Sequence, residues 1–306
     1  MNEICVAHLV RAQNGIGPLI DFLESYKLNP GGIEHDFIIL FKGFKNEGPS
    51  QEYRSLLRPF NYKELHVPDE GFDITAYFAV PRSFQYKYYC FLNSFSVILD
   101  AKWLLKMHQY ISQENVGLVG ATGSYQGHLW RGNYTYTQWK LSVENAIPKS
   151  KHPKLRKFWV GRLDWALQFW ISYLNNGLKL NFYFPRFPNF HIRSNAFMLR
   201  DEMMRKIVCP KILSKMDAYK CESGRQSITN QIMKLGKIAL VIGKDGKAYK
   251  KEDWWKSNTF WRENQENLLV SDNQTRAYTD GGLAQKTLFS NYAWGENASP
   301  KQPFKN

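Results

Sequence analysis

The opening stretch constrains the fold more than any other part of the sequence. Ile4-Cys-Val-Ala-His-Leu-Val is a short apolar run closed by Arg11-Ala-Gln-Asn-Gly, the pattern of a strand buried on both faces and followed by a turn. Residues Leu19, Ile20, Phe22, Leu23 and Tyr26 then share one face of a helix that stops near Pro30-Gly31-Gly32. A second apolar run, His35-Asp-Phe-Ile-Ile-Leu-Phe, ends at Lys42-Gly43. Strand, helix and strand in this order make a β-α-β unit, whose right-handed crossover sets the strands parallel. Ligands of such sheets lie beyond the carboxyl ends of the strands, where Arg11 and Lys42 fall.

The alternation continues. Ser50 to Arg58 reads as a helix, Glu64-Leu-His-Val and Tyr88-Tyr-Cys-Phe-Leu as strands, and Ala101 to Glu114 as a helix after the polar turn Asn93-Ser94. Gly117 to Gly123 resumes extended structure. This order predicts an α/β domain with a mostly parallel, Rossmann-like sheet flanked by helices. An aromatic and basic segment interrupts it over 126–188, with the run Lys149-Ser-Lys-His-Pro-Lys-Leu-Arg-Lys157 and a helix from Phe158 to Leu174. That helix is either packed with a solvated basic lead-in or a surface for an anionic membrane or acceptor.

Beyond the insertion come a strand-like Phe190 to Leu199, a helix from Asp201, a polar run Met216 to Gly224 and a helix through Leu235. Val241-Ile-Gly-Lys-Asp-Gly is a strand and turn, and Asp272-Asn-Gln-Thr a polar loop beside the pocket. The expected organisation is one domain over 1–280, divided at 125 and 188 into a nucleotide-binding half, a helical insertion and an acceptor-side half. A tail over 281–306, rich in Gly, Asn, Pro and Lys, is expected to be partly disordered.

Lys and Arg number 41 against 27 Asp and Glu, a net charge of +14 that calls for an anionic partner: nucleic acid, a membrane surface or a nucleoside diphosphate. Aromatic residues make up 15%, suiting sugar or base contact as well as core packing. Cys5, Cys90, Cys209 and Cys221 show no zinc-ligand spacing, and two of them lie in apolar strands; reduced thiols and a cytoplasmic setting follow. No run of about 18 apolar residues is present, and the N-terminus has no basic-then-apolar leader pattern. The glycan-acceptor patterns at Asn133, Asn273 and Asn297 carry no weight in that setting.

The segment Tyr89-Cys-Phe-Leu-Asn-Ser-Phe-Ser-Val-Ile-Leu-Asp-Ala-Lys-Trp-Leu, followed by Val116-Gly-Leu-Val-Gly-Ala, resembles the central motif of GT-A glycosyltransferases, especially the family-2 and rhamnan-synthesis-like enzymes of surface polysaccharide assembly. More loosely the resemblance runs from about residue 3 to residue 278. Gly71-Phe-Asp-Ile-Thr-Ala-Tyr is similar to the segment beside base and ribose, and His191-Ile-Arg-Ser-Asn-Ala and Glu222-Ser-Gly-Arg to acceptor-side elements. It implies a nucleotide-sugar donor and a glycan or lipid-linked acceptor, with nucleic acid disfavoured as a partner. His8, Arg11, Lys42, Asp73, Asn93 and Ser94 would contact the donor, and His191, Arg193 and Arg225 the acceptor or phosphate. The family holds Mg²⁺ or Mn²⁺ with an Asp-x-Asp turn; here Asn93-Ser94-Phe95-Ser96 stands in its place, with no carboxylate, and metal dependence is left open.

Glycosyl transfer needs positive charge or a metal for the departing diphosphate and, for inversion, a carboxylate to deprotonate the acceptor. Glu222 is the candidate base, placed by sequence at a helix start, with Asp217 in reserve. Arg11 and Asp73 are equally readable as a surface arginine and a helix cap. His191 and Arg193 alternate along a strand and so share a face. Two other classes stay open: a basic nucleic-acid-binding module, against which no RRM, OB or zinc-finger pattern is present, and a sugar-binding relative without activity.

Overall fold

A computed structural model describes residues 2–44, 48–127 and 182–295. The chain divides into one unit of residues 1–126 and 188–306 and a second of 127–187. Most of the second, including the basic run Lys149–Lys157 and the expected helix over 158–174, lies outside the described residues, as does the chain beyond residue 295. The first unit carries the central sheet.

Four strands, β1 (Ile4–Arg11), β2 (Asp36–Lys42), β3 (Tyr62–Val67) and β4 (Tyr88–Leu92), pair in parallel in the order β3-β2-β1-β4. The sheet extends through β9 (Ala196–Arg200), antiparallel to both neighbours, to β6 (Val116–Gly120), β10 (Ile238–Ile242) and β11 (Ala248–Tyr249). It is an α/β architecture with an eight-stranded, mostly parallel sheet. Two small ladders tie the loops at the carboxyl ends: β5 (Val97–Ile98) with β12 (Val270–Ser271), and β7 (Gly123–Ser124) with β8 (His191–Ile192).

Alternation along β1 and β2 sends Ile4, Val6, Val10, Phe37, Ile39 and Phe41 to one core. There they meet Leu19, Phe22 and Leu23 of α1 (Gly17–Leu28) and Trp103, Leu104 and Met107 of α4 (Trp103–Ile111). Each such side chain, once buried, contributes about 1.5–3 kcal/mol before chain entropy is counted. The other face lies under α3 (Phe72–Ser83), whose Tyr77 packs 5.0 Å from Phe91 and 5.6 Å from Phe197.

Among the described residues the further α-helices are α2 (Gln51–Leu57), α5 (Asp201–Lys206), α6 (Lys215–Ser223), α7 (Ile228–Lys234), α8 (Asn273–Thr279) and α9 (Leu283–Trp294). Helix α3 was not expected, α8 begins within the Asp272-Asn-Gln-Thr run expected as a polar loop, and two further elements depart from expectation. The polar run is helix α6, started by a capping box in which Ser214 and Asp217 exchange hydrogen bonds. The first part of the tail is helix α9, anchored by Trp294, which is 1% exposed and donates from Nε1 to the Phe260 carbonyl at 2.8 Å.

Candidate functional site

Order β3-β2-β1-β4 contains a topological switch: successive crossovers move outward from β1 to β3, and the chain then returns to place β4 on β1's other side. The crevice between the carboxyl ends of β1 and β4 is where such sheets bind ligands. Asn14, in the turn after β1, spans it by donating from Nδ2 to Ser94 Oγ at 2.7 Å.

The turn after β4 is committed to its own structure. Asn93 Oδ1 accepts from Phe95 N at 3.1 Å and Ser96 Oγ at 3.0 Å, Asn93 N donates to the Asn195 carbonyl at 2.9 Å, and Ser96 is fully buried. Arg276 of α8 closes the turn from outside, donating to the Phe95 carbonyl at 3.1 Å. A hard dication needs several free oxygens, preferably carboxylates. The only side-chain carbonyl oxygen in this turn already has two donors, so the residues standing where the Asp-x-Asp would be do not fit Mg²⁺ or Mn²⁺.

The donor-side candidates divide. Arg11 ends β1 half-buried, with Nη2 on Asp69 at 2.9 Å and Gln13 at 3.1 Å and with Nε buried and without an acceptor among the described residues. Lys42 does not reach the crevice. It is 1% exposed, and its ammonium is spent on the backbone carbonyls of Glu70 and Phe72, the latter at 2.7 Å; burial pulls its pKa down. It thereby pins the loop leading into α3. That loop turns through Gly71 at φ 66° and Phe72 at φ 55°, left-handed values that a bulky residue adopts only under constraint. A Cβ on Gly71 would lie 2.0 Å from Thr75 Oγ1, so this position needs glycine for space as well as for φ.

Asp73 follows the turn, half-buried and accepting no hydrogen bond among the described residues. Burial raises its pKa, with Arg11 and Lys42 opposing and Glu222 and Asp69 adding to the rise. His8 is also displaced from the expected role. Alternation puts it on the same face as Ile4, Val6 and Val10, where it is fully buried and stacked on Phe22 at 3.6 Å; burial alone pushes its pKa down to about 3. It is a neutral core residue with no exposed surface.

On the acceptor side, Glu222 lies in the last turn of α6 rather than at a helix start, so the helix dipole does not favour its charge. Ser194 holds it instead: backbone N–H and Oγ both donate to Oε1 at 2.9 Å, while Oε2 accepts nothing among the described residues. His191 is buried and Nδ1 donates to the Asn189 carbonyl at 2.9 Å, which leaves Nε2 the ring's basic nitrogen. Burial lowers the imidazole's pKa, Glu222 and the Asn189 carbonyl oppose this, and Arg193 adds to the lowering. Fully buried Tyr77 marks where the groups converge: burial raises its pKa well above the usual value, and Asp73, Glu222 and Asp272 add to the rise.

Other candidates are engaged structurally. Arg193 lies past the end of β8, with Nη2 on Asp272 at 3.0 Å and its guanidinium 4.0 Å over the Phe260 ring, both charges buried. Asp217 is held in the α6 cap by Ser214 and by Lys220 at 3.1 Å; these bonds draw its pKa down. Arg225 is exposed beyond α6. Sequence reasoning missed Ser194, Tyr77, Asn14, Asp69 and Arg276, all brought in by long-range packing. A cavity of about 880 Å³ lined by Tyr26, Gly32, His35, Asp36 and Phe60 lies at the amino end of β2, away from this cluster.

No protein-family model matches the chain, and no curated protein matches it. Solved structures that resemble it include S. aureus TarS, at 11% identity over 39% of this chain and 21% of that one, TM-score 0.31. A mannosyltransferase, PcManGT from Pyrobaculum calidifontis, in complex with GDP-Man and Mn²⁺, matches at 9% identity over 84% and 61%, TM-score 0.43. The galactosyltransferase LgtC, in complex with donor and acceptor sugar analogs, matches at 13% identity over 77% and 72%, TM-score 0.39. The chain spans 21% and 61% of the first two proteins' length.

Proposed function

We propose that this chain is a GT-A-type glycosyltransferase that moves a sugar from a nucleoside-diphosphate donor to a hydroxyl of a glycan or lipid-linked acceptor, with inversion. One observation carries the reading: Glu222 is fixed through a single oxygen by two Ser194 donors, and its second oxygen is left open among Asp73, Tyr77 and His191. A carboxylate so placed accepts the acceptor's proton as the acceptor oxygen bonds to the anomeric carbon and the bond to the nucleoside diphosphate breaks. Arg11, exchanging Asp69 for the diphosphate, offsets the leaving group's charge, and Asp73 accepts from base or ribose. No step is assigned to Mg²⁺ or Mn²⁺, because the turn after β4 offers no free carboxylate.

The net charge of +14 supports an anionic donor and a lipid-linked acceptor at the inner, cytoplasmic face of a membrane, within polysaccharide assembly. No helix among the described residues is long and apolar enough to cross a membrane. The test is a transfer assay with Glu222→Gln, which keeps shape and loses basicity. Turnover should fall about 10²–10⁴-fold while donor affinity, read by calorimetry, stays within about twofold. Retention of more than about a tenth of turnover removes the base assignment. Donor binding without transfer in the unmodified protein points to a sugar-binding relative.

A further inference from the structure

Two of the four cysteines have no part in the site described above, yet the fold brings them together. Cys209 Sγ and Cys221 Sγ lie 2.9 Å apart, and all four cysteines are free thiols. A disulfide's S–S length is about 2.05 Å, so less than an ångström of approach separates the pair from a bond. Both sulfurs are held in place. Cys221 sits in α6, 3% exposed, in a small apolar cluster with Ile74 of α3 and Ile212, against which Cys209, Phe78 and Ala218 pack. Cys209 lies in the connection from α5 to α6. Its neighbour Val208 is clasped on both backbone groups by the Gln231 side chain, at 2.8 and 3.0 Å, and Pro210 stiffens the other side.

We propose that Cys209 and Cys221 are a redox modification site that takes a small hydroperoxide and closes to a reversible disulfide. The hydrogen bond from one thiol to the other favours the thiolate on Cys221, whose pKa it lowers, and disfavours it on Cys209, whose pKa it raises. The Cys221 thiolate attacks the peroxide oxygen; the O–O bond breaks, an alcohol or water departs, and Cys221 becomes a sulfenic acid. Cys209 sulfur then gives up its proton and displaces the hydroxyl as water, forming the S–S bond. Two thiols and one hydroperoxide give one disulfide, one alcohol or water and one further water. Only a small oxidant suits, since Cys221 is almost covered while Cys209 is half-exposed. Cys5 and Cys90, both fully buried, serve as internal controls.

The site adjoins Glu222, the next residue in α6, so the bond would tie the base's helix to the preceding connection. The proposal itself does not depend on the glycosyltransferase reading. Its test is chemical: the native full chain is treated with hydrogen peroxide, its remaining thiols are alkylated after denaturation, and the products are read by mass spectrometry. The expected product has lost two hydrogens, keeps two alkylatable cysteines and yields a single cross-link between Cys209 and Cys221, reversed by dithiothreitol. Cys209→Ser and Cys221→Ser should each abolish the cross-link. Four alkylatable thiols, a cross-link to Cys5 or Cys90, or oxidation that runs to sulfinic acid without a disulfide would overturn it.

Discussion

Two carboxylates flank the His191–Asn195 segment and both act on the Tyr77 hydroxyl, yet they are treated differently. Asp272 is sealed: Arg193 occupies Oδ2 at 3.0 Å, the Thr275 N–H occupies Oδ1 at 2.8 Å, and the residue is 1% exposed. Glu222 takes both its donors on Oε1 and leaves Oε2 open. A buried carboxylate engaged on both oxygens and paired with a buried cation is matched to that partner, and loss of the partner is felt as stability. A carboxylate held firmly by one oxygen and open at the other is oriented without being neutralised, and its loss should be felt as rate. Among the described residues each accepts two hydrogen bonds; what separates them is that Asp272 takes one on each oxygen, one of them from a buried cation, whereas Glu222 takes both on the same oxygen.

The widest separation between them should appear on truncation. Arg193→Ala leaves Asp272 buried and uncompensated, an expected loss of about 3–5 kcal/mol in urea unfolding. Glu222→Gln should stay within about 1 kcal/mol of the unmodified protein in the same experiment. Equal stabilities for the two variants would erase the contrast. Ser194→Ala sharpens it, because the hydroxyl goes while the backbone donor stays. Turnover is expected to fall about tenfold, the worth of one charge-assisted hydrogen bond, with KM nearly unchanged and recovery in Ser194→Thr. A change confined to KM would mean that Ser194 serves binding and not the aim of Glu222.

An effect that is small near neutral pH and grows with acid belongs to His8, which is buried with no hydrogen-bond partner among the described residues. Its pKa is about 3 in the fold against 6.5 unfolded, so between those values the unfolded chain binds a proton that the folded chain refuses. Stability from this residue is complete above pH 6.5 and lost as pH falls toward 3, at up to about 1.4 kcal/mol per unit and about 0.8 kcal/mol by pH 6. His8→Leu should flatten that part of the unfolding profile between pH 7 and 5. An unchanged slope would place the acid sensitivity elsewhere.

Strands β1, β2 and β4 were legible because each is a largely apolar, buried run closed by turn residues, whereas β3, Tyr62-Lys-Glu-Leu-His-Val67, is mixed and half-exposed and was read only from Glu64; their order gave the crevice. Helix α3 was not, since Pro81 lies inside it and it starts on two left-handed residues with no capping side chain. Helix α6 has a polar sequence, yet Ser214-x-x-Asp217 was a readable start signal that would have put Glu222 in the last turn. His8 could have been assigned to the core from its alternation with Val6 and Val10. The pairings Ser194 with Glu222, Arg193 with Asp272 and Cys209 with Cys221 join separate elements, and no periodicity encodes such partners.

Lys42 gives the region before α3 an unusual form of inheritance. The residues that present Asp73 run from Asp69 to Phe72, but the ammonium that fixes their carbonyls is the last residue of β2, far back in the chain. The loop is therefore held as a module in two pieces, strand end and turn. A graft whose loop backbone took another course would leave a buried cation without acceptors, and one that changed only Lys42 would free two carbonyls beneath a left-handed turn. Variation in this part of the pocket has to arrive as paired changes, so the strand end and the loop should be redesigned together or left alone.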